Sequence, residues 1–417
     1  MKQKIVVILI LLLTLISCKK EFNFFQQENE NGLPNYGNVD VENVFTAEDS
    51  QLQDKQNVVN AIQQYYDKVW EKGDLSGGFL VAKGDKILFE SYRGFAKENN
   101  QVPINKDVPL HIASISKSLT AMAVLKLVEA RKINLHDKVT HYFPKFPYKE
   151  VEVIHLLNHR SGLPKYEYFI EKLGLKPKNK YFTNQEVLDL LIQHKPDLAR
   201  NTNTGFMYCN TNYALLALIV EKVTAHPFPL AMQKIVFKPL GMEHTYIFQQ
   251  KDSLRAAQSF YYQGNRLYPT DKLDGIYGDK NCYTTPRDLF KFSKAMYAEN
   301  FLRKSLKDSI FTPYSNERRG VNNYGIGFRM KVFDNGEKLT FHNGWWHGSN
   351  TAFVHLQKSK VTIIALGNKF SRRVYSALTL SSLFEDFPLE REKLDKLMNK
   401  EIDTTKENHD AVAESTE

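Results

Sequence analysis

The stretch "HIASISKSLTAM" (His111–Met122) sets three serines and one lysine at the start of an apolar helical run. A serine hydroxyl becomes a nucleophile when a neighbouring base takes its proton. Ser114 and Lys117 are three residues apart, so a helix puts them on one face. Near the start of a buried helix a lysine loses solvation, and that loss lowers its pKa. Ser114 at the helix start has backbone N–H groups and the positive end of the helix dipole beside any developing negative charge. Ser116 and Ser118 have no lysine three residues downstream, and Ser116 is turned about 200° from Ser114. Spacing alone does not decide the matter. With 21 serines and 42 lysines, chance supplies about two Ser-x-x-Lys pairs, and the chain has two, Ser17/Lys20 and Ser114/Lys117. The first crosses an expected signal-cleavage site. Alone, the second reads equally as an N-cap serine beside a lysine that snorkels to solvent.

The longer segment "IASISKSLTAMAVLKLVEARKINLHDKV" resembles the nucleophile region of the serine β-lactamase and penicillin-binding-protein superfamily. It is most similar to the branch of class C β-lactamases, D-Ala-D-Ala carboxypeptidases and related esterases. That branch carries a second motif, Tyr-x-Asn, and a third, Lys-Thr-Gly or His-x-Gly. Tyr-x-Asn occurs at Tyr36/Asn38, Tyr208/Asn210 and Tyr314/Asn316. Only Tyr208-Cys209-Asn210 leads directly into an apolar helical run, "TNYALLALIVEKV". His342-Asn343-Gly344 ends the expected strand "KLTFHNG". "HLLNHRSGLPKY", "KPLGMEHTYI", "GDKNCYTTPRDLFKF" and "YGIGF" also resemble family patterns, the last as the strand before the third motif. The resemblance covers about residues 56–386, in order.

It implies a set of roles. Ser114 attacks a carbonyl, and Lys117 with Tyr208 carries the proton to the leaving group. Asn210 binds a substrate amide and His342 positions substrate. Gly344 lets substrate backbone approach closely. The N–H groups of Ser114 and Trp345 hold the oxyanion, at a few kcal/mol each. His342 stands where class C β-lactamases have lysine, a departure that weighs against efficient β-lactam hydrolysis. The expected function is a serine hydrolase acting through an acyl-enzyme on a D-amino-acid peptide, a β-lactam or an ester. The alternative is a non-catalytic sensor or binding module that forms a stable acyl adduct. No cofactor or metal is expected. His155 and His159 have an i, i+4 spacing but lack the glutamate of His-Glu-x-x-His. There is no Gly-x-Ser-x-Gly elbow, phosphate loop or dinucleotide fingerprint.

The elements that must position these residues alternate in type. Val58 to Trp70 recur at helical spacing. "GGFLVA" and "KILFES" flank Lys83-Gly84-Asp85 as a hairpin. Helical patterns dominate 114–274, including Ser114–Ala130, Asn184–Gln193 and Thr211–Val223. "KLTFHNG", "NTAFVHLQKS" and "KVTIIALGN" read as antiparallel strands, and a helix from about Ser371 to Phe384 follows. The expected fold class is therefore α/β (α+β), of the β-lactamase/transpeptidase-like kind. An antiparallel sheet flanked by helices comes from about 56–113 and 275–392. An all-helical subdomain spans about 114–274, with the site in the cleft between.

The ends differ from this domain (56–392). Lys2 and Lys4 precede an apolar run from Ile5 to Ile16, too short to span a bilayer and typical of an export signal, 1–17. Leu15-Ile16-Ser17-Cys18 resembles a bacterial lipobox, which implies lipid chains on Cys18 that tether the protein to a membrane. Residues 18–55 read as anchor and flexible linker, and 393–417 as a polar, disordered tail. The net charge is +9, but the basic residues are dispersed, and an exported protein is a poor partner for nucleic acid. The expected partners are a small-molecule or peptide substrate and, through the anchor, the membrane of the bacterial cell envelope. Cys209 and Cys282 could pair in an oxidising compartment, but one pair is no framework, and two isolated thiols are the expected case.

Overall fold

Strands from the two ends of the folded region meet in one antiparallel sheet. They belong to a computed structural model that describes residues 36–98 and 102–401. Two units are distinguished. Of Met1–Gly37 only Tyr36 and Gly37 are described, and Asn38–Glu417 holds every element below.

In chain order the strands are β1 (Gly77–Lys83), β2 (Lys86–Arg93), β3 (Leu110–His111), β4 (Tyr246–Ile247), β5 (Cys282–Thr284), β6 (Asn322–Tyr324), β7 (Arg329–Val332), β8 (Lys338–Trp346), β9 (Ser349–Leu356) and β10 (Val361–Gly367). The large sheet runs β2-β1-β10-β9-β8-β7-β6, and a small one runs β3-β5-β4. β1 joins early to late chain: Phe79 pairs with Ala365 and Lys83 with Val361. All of β9 and β10 is buried. Helices cover both faces, which is why these strands are buried on both sides and do not alternate between apolar and exposed polar residues.

One face packs on helix α1 (Lys55–Tyr66) and its continuation Asp67–Glu71. Tyr65, Tyr66 and Trp70 meet Phe79, Val354, Ile363 and the C-terminal Val374 and Leu380. The helical block supplies α2 (Ser116–Glu129), α3 (Tyr166–Lys172), α4 (Asn184–His194) and α5 (Asn210–Thr224). α2 is buried from Ser116 to Val128 and α5 from Thr211 to Val220, so these two are core helices, buried all round. Thr183 and Glu186 cap α4 reciprocally. Helix α6 (Pro286–Ala295) starts on the Thr285 cap and lies against the second face of the sheet, over β1 and β10.

Four details depart from expectation. Ser114 sits in a 3-10 turn, Ala113–Ile115, and α2 proper begins at Ser116. "YGIGF" is not one strand: Tyr324 ends β6 and the rest is a tight connection into β7. Helix α7 (Pro388–Asn399) occupies the start of the segment read as a tail, with Leu394 buried and Leu397 and Met398 packed on the core. The last part of the expected linker is a docked strap. Val39 N–H donates to the Pro239 carbonyl at 2.8 Å, Phe45 packs on Tyr297 at 4.8 Å, Glu42 pairs with Lys294 and Asp49 with Lys360. This strap grips the end of the sheet where the β1–β2 and β9–β10 turns lie. Cys18 and the signal lie outside the described residues.

Candidate active site

The turn that carries Ser114 is fixed before α2 begins. Ala113 has φ +47°, a left-handed conformation that costs a residue with a Cβ about 1–2 kcal/mol. The neighbours that hold it there are specific. Thr351 Oγ1 donates to the Ile112 carbonyl at 2.9 Å, and Ile112 N–H donates to Cys282 O at 3.0 Å. Cys282 N–H in turn donates to Ser116 Oγ at 3.1 Å, so β5 clamps both sides of Ser114. Gly344 completes the cradle. A Cβ there would stand 2.3 Å from Thr351 Oγ1 and 2.5 Å from the Ile112 carbonyl. Sequence reasoning gave that space to substrate backbone; the protein's own nucleophile turn fills it.

Lys117 is fully buried. Its ammonium donates to Ser114 Oγ at 3.0 Å and to the Asp279 carbonyl at 2.8 Å, and it lies 5.0 Å from the Tyr208 ring centroid. The snorkelling alternative is therefore excluded. Tyr208, just before α5, also has the Arg329 guanidinium 4.7 Å from its ring and the His159 ring at 4.4 Å. Ser114, Lys117 and Tyr208, far apart in sequence, thus form one cluster.

The third motif lies on β8. β7 pairs with β8 only from Lys338 to Phe341, so from His342 to Trp346 that edge of β8 is open. An open strand edge offers backbone N–H and C=O groups to an extended ligand. His342 itself is fully buried. Its Nδ1 is 2.7 Å from the Asn343 carbonyl, which only accepts, so Nδ1 carries the proton and Nε2 accepts from Tyr324 Oη at 3.2 Å. Burial, then the Arg329 and Lys117 charges, hold this ring well below the usual histidine range. His342 is neutral, and both its nitrogens are engaged within the protein. Trp345 is 48% exposed at the rim.

Asn210 heads α5. Its Nδ2 donates to Glu167 Oε1 at 2.7 Å, and its Oδ1 has no partner among the described residues. Burial pushes the Glu167 carboxyl up. Beside it, Lys280 donates to Tyr166 Oη at 2.6 Å and Tyr166 donates to Asp279 Oδ2 at 2.6 Å. Sequence reasoning missed Asp279, Tyr324, Arg329 and Glu167. Asp279 stands in the quoted "GDKNCYTTPRDLFKF", yet it serves Lys117 through its backbone carbonyl, which no side-chain pattern reveals. His155 and His159 are structural: His155 Nδ1 accepts from Glu152 N–H and His159 Nδ1 from Cys209 N–H, each at 3.2 Å. Cys209 and Cys282 are free buried thiols.

The sequence and the fold match a known family. The beta-lactamase family model covers residues 62–380. The chain belongs to that family. Penicillin-binding protein 4* of Bacillus subtilis is 30% identical over 344 residues, 79% of this chain and 76% of that protein. The solved penicillin-binding protein from Bacillus halodurans superimposes with a TM-score of 0.66 at 25% identity, over 80% of this chain and all of that one. D-amino acid amidase from Ochrobactrum anthropi SV3 shares the fold, with a TM-score of 0.62 at 22% identity over 79% of this chain and 100% of that one. The family is one of serine hydrolases related to penicillin-binding proteins, and the large antiparallel sheet flanked by helices is the family's fold.

Proposed function

We propose that this beta-lactamase family member is an acyl-enzyme hydrolase whose nucleophile is Ser114. The observation that carries the reading is the 3.0 Å hydrogen bond between Ser114 Oγ and the buried Lys117 ammonium, against the Tyr208 ring. With Lys117 in its neutral amine form, Lys117 Nζ and Tyr208 take the hydroxyl proton as Ser114 Oγ bonds to the substrate carbonyl carbon. The N–H groups of Ser114 and Trp345 stabilise the oxyanion. The carbonyl re-forms, the amine or alcohol leaves with the proton, and water releases the acyl group by the same steps.

The substrate class is an amide or ester that ends in a carboxylate, such as a D-amino-acid peptide. Arg329 supports this, since its guanidinium packs on Tyr208 and has no ion-pair or hydrogen-bond partner among the described residues. Asn210 Oδ1 supports a substrate N–H on the acyl side. The proposed setting is the bacterial envelope, with lipid chains on Cys18.

Incubation with a fluorophosphonate probe, a fluorescent penicillin, a chromogenic cephalosporin and a short acyl ester tests the reading. Ser114→Ala is expected to abolish labelling and turnover; labelling that survives would reject the nucleophile. Arg329→Gln is expected to lower kcat/KM for a peptide ending in D-alanine by roughly 10-fold to 100-fold, the worth of a charge-assisted hydrogen bond. The same peptide with an amidated C-terminus is expected to change little. Equal losses on both peptides would remove Arg329 from carboxylate recognition.

A further inference from the structure

A carboxylate that takes no part in the chemistry above reaches the hairpin that carries Trp345. Asp274 Oδ1 accepts from two consecutive residues at the β8–β9 tip, Trp346 Nε1–H at 2.7 Å and His347 Nε2–H at 2.8 Å. Its other oxygen accepts Asp271 N–H at 2.7 Å. Burial alone would raise this carboxyl, but the hydrogen bond and charge of His347, with the Asp271 and Trp346 donors, hold it below the usual range. Asp274 is a buried, fully engaged acceptor.

Other restraints on the hairpin tip are Trp345 Nε1–H donating to the His347 carbonyl at 3.1 Å, Tyr375 Oη donating to the Gly344 carbonyl at 3.1 Å and the Tyr268 ring 5.1 Å from His347, and none of them is a charged group. β8 has one open edge here, and His347 takes a left-handed φ of +53°. Gly348 N–H donates to Ser259 Oγ at 3.2 Å. The indole of Trp346 lies between Asp274 and the Lys280 ammonium, which is 4.6 Å from its ring centroid. The backbone on the other side of the pin is equally tied. Asn281 Nδ2 donates to the Asp274 carbonyl at 2.6 Å and to the Ile276 carbonyl at 2.8 Å. Asp279 O holds Lys117, and Cys282 clamps Ile112 and Ser116. One segment, 274–282, therefore touches the nucleophile turn, the active-site lysine and the hairpin tip.

An oxyanion donor works only within about 2.7–3.1 Å of the developing charge, so a small rotation of the tip weakens it. We propose that Asp274 is a positioning residue for the oxyanion hole. Through Trp346 and His347 it fixes the direction of the Trp345 N–H relative to Ser114. This inference rests on the reading of Ser114 as nucleophile.

The test compares full-length wild type, Asp274→Ala, Trp346→Phe and Ser114→Ala. It measures the rate and final stoichiometry of fluorophosphonate labelling, with kcat and KM on a short ester. Asp274→Ala is expected to slow labelling and lower kcat by roughly 10-fold to 100-fold while final stoichiometry and KM stay near wild type. Trp346→Phe removes one of the two donors and is expected to give a smaller loss of the same kind. Wild-type rates in both variants would overturn the proposal. So would reduced stoichiometry with an unchanged rate in Trp346→Phe, which signals misfolded molecules instead of a misplaced donor. If Asp274→Ala loses stoichiometry, the Trp346→Phe rate decides. Failure of the Ser114 reading is separate: Ser114→Ala would then label like wild type, and the positioning proposal falls with it.

Discussion

Lys117→Met is expected to slow acylation of Ser114 by roughly 10²-fold to 10⁴-fold, the usual worth of a general base, while leaving the protein folded. Methionine matches the length of the lysine stem and leaves no large cavity. Two opposing terms set the stability. Removing a fully buried ammonium relieves a desolvation penalty of several kcal/mol. The Asp279 carbonyl then loses its 2.8 Å donor, which costs about 1–3 kcal/mol. The two nearly cancel, so the thermal midpoint moves little while chemistry collapses. Lys117→Arg is expected to be as inactive, because a lysine can give up its own proton and act as a neutral amine, whereas a guanidinium stays protonated and cannot take the serine proton. The measurement is the second-order rate of fluorophosphonate labelling beside a calorimetric melt. A labelling rate within tenfold of wild type for either variant would show that Lys117 is not the base.

Acidification below pH 6 is expected to unfold this protein steeply. Four buried histidines carry most of it, and His155, also lowered by burial, adds to it. Burial lowers His355 to about 3, and burial with the His347 charge lowers His111 to about 3. Burial with the Lys117 and Arg329 charges takes His159 and His342 well below 6.5. The unfolded chain binds a proton at each near pH 6.5 and the folded state does not. Their stabilising contribution is therefore complete above pH 6.5 and lost as pH falls toward the folded values. Each costs about 1.4 kcal/mol per pH unit in that window, so four cost about 5. Against a typical stability of about 5–15 kcal/mol, unfolding falls near pH 4–5. Glu167, with its raised carboxyl, opposes this below its own folded value, but it is one group against four. Urea titrations from pH 7.5 to 4.5 give the slope. His355→Gln, remote from the cleft, should reduce that slope by about one histidine's share; an unchanged slope would refute the assignment.

Much of the fold is legible because long apolar runs leave little choice. "GGFLVA", "NTAFVHLQKS" and "KVTIIALGN" are central strands, and the runs after Ser114 and Asn210 are buried helices. The three motifs were visible as side-chain patterns, and the structure brings Ser114, Lys117, Tyr208 and His342 together. What stayed hidden acts through backbone or tertiary geometry. Nothing about alanine announces the left-handed Ala113. Gly344 was given to a ligand because the chain segment that fills its space lies more than 200 residues earlier. Arg329 follows "YGIGF", one more dispersed cation until β7 turns it onto Tyr208. Helix α7 was misjudged on composition, since its charged residues outnumber the few apolar ones that face the core.

The docked strap at 38–50 has a directional consequence. β8 runs toward the cleft and ends at the His347-Gly348 turn, whereas Asp49 and Ser50 hold the opposite end of the sheet, by Lys360 and Asp85. A load applied to the strap is thus taken up at the end of the sheet remote from the β8–β9 tip.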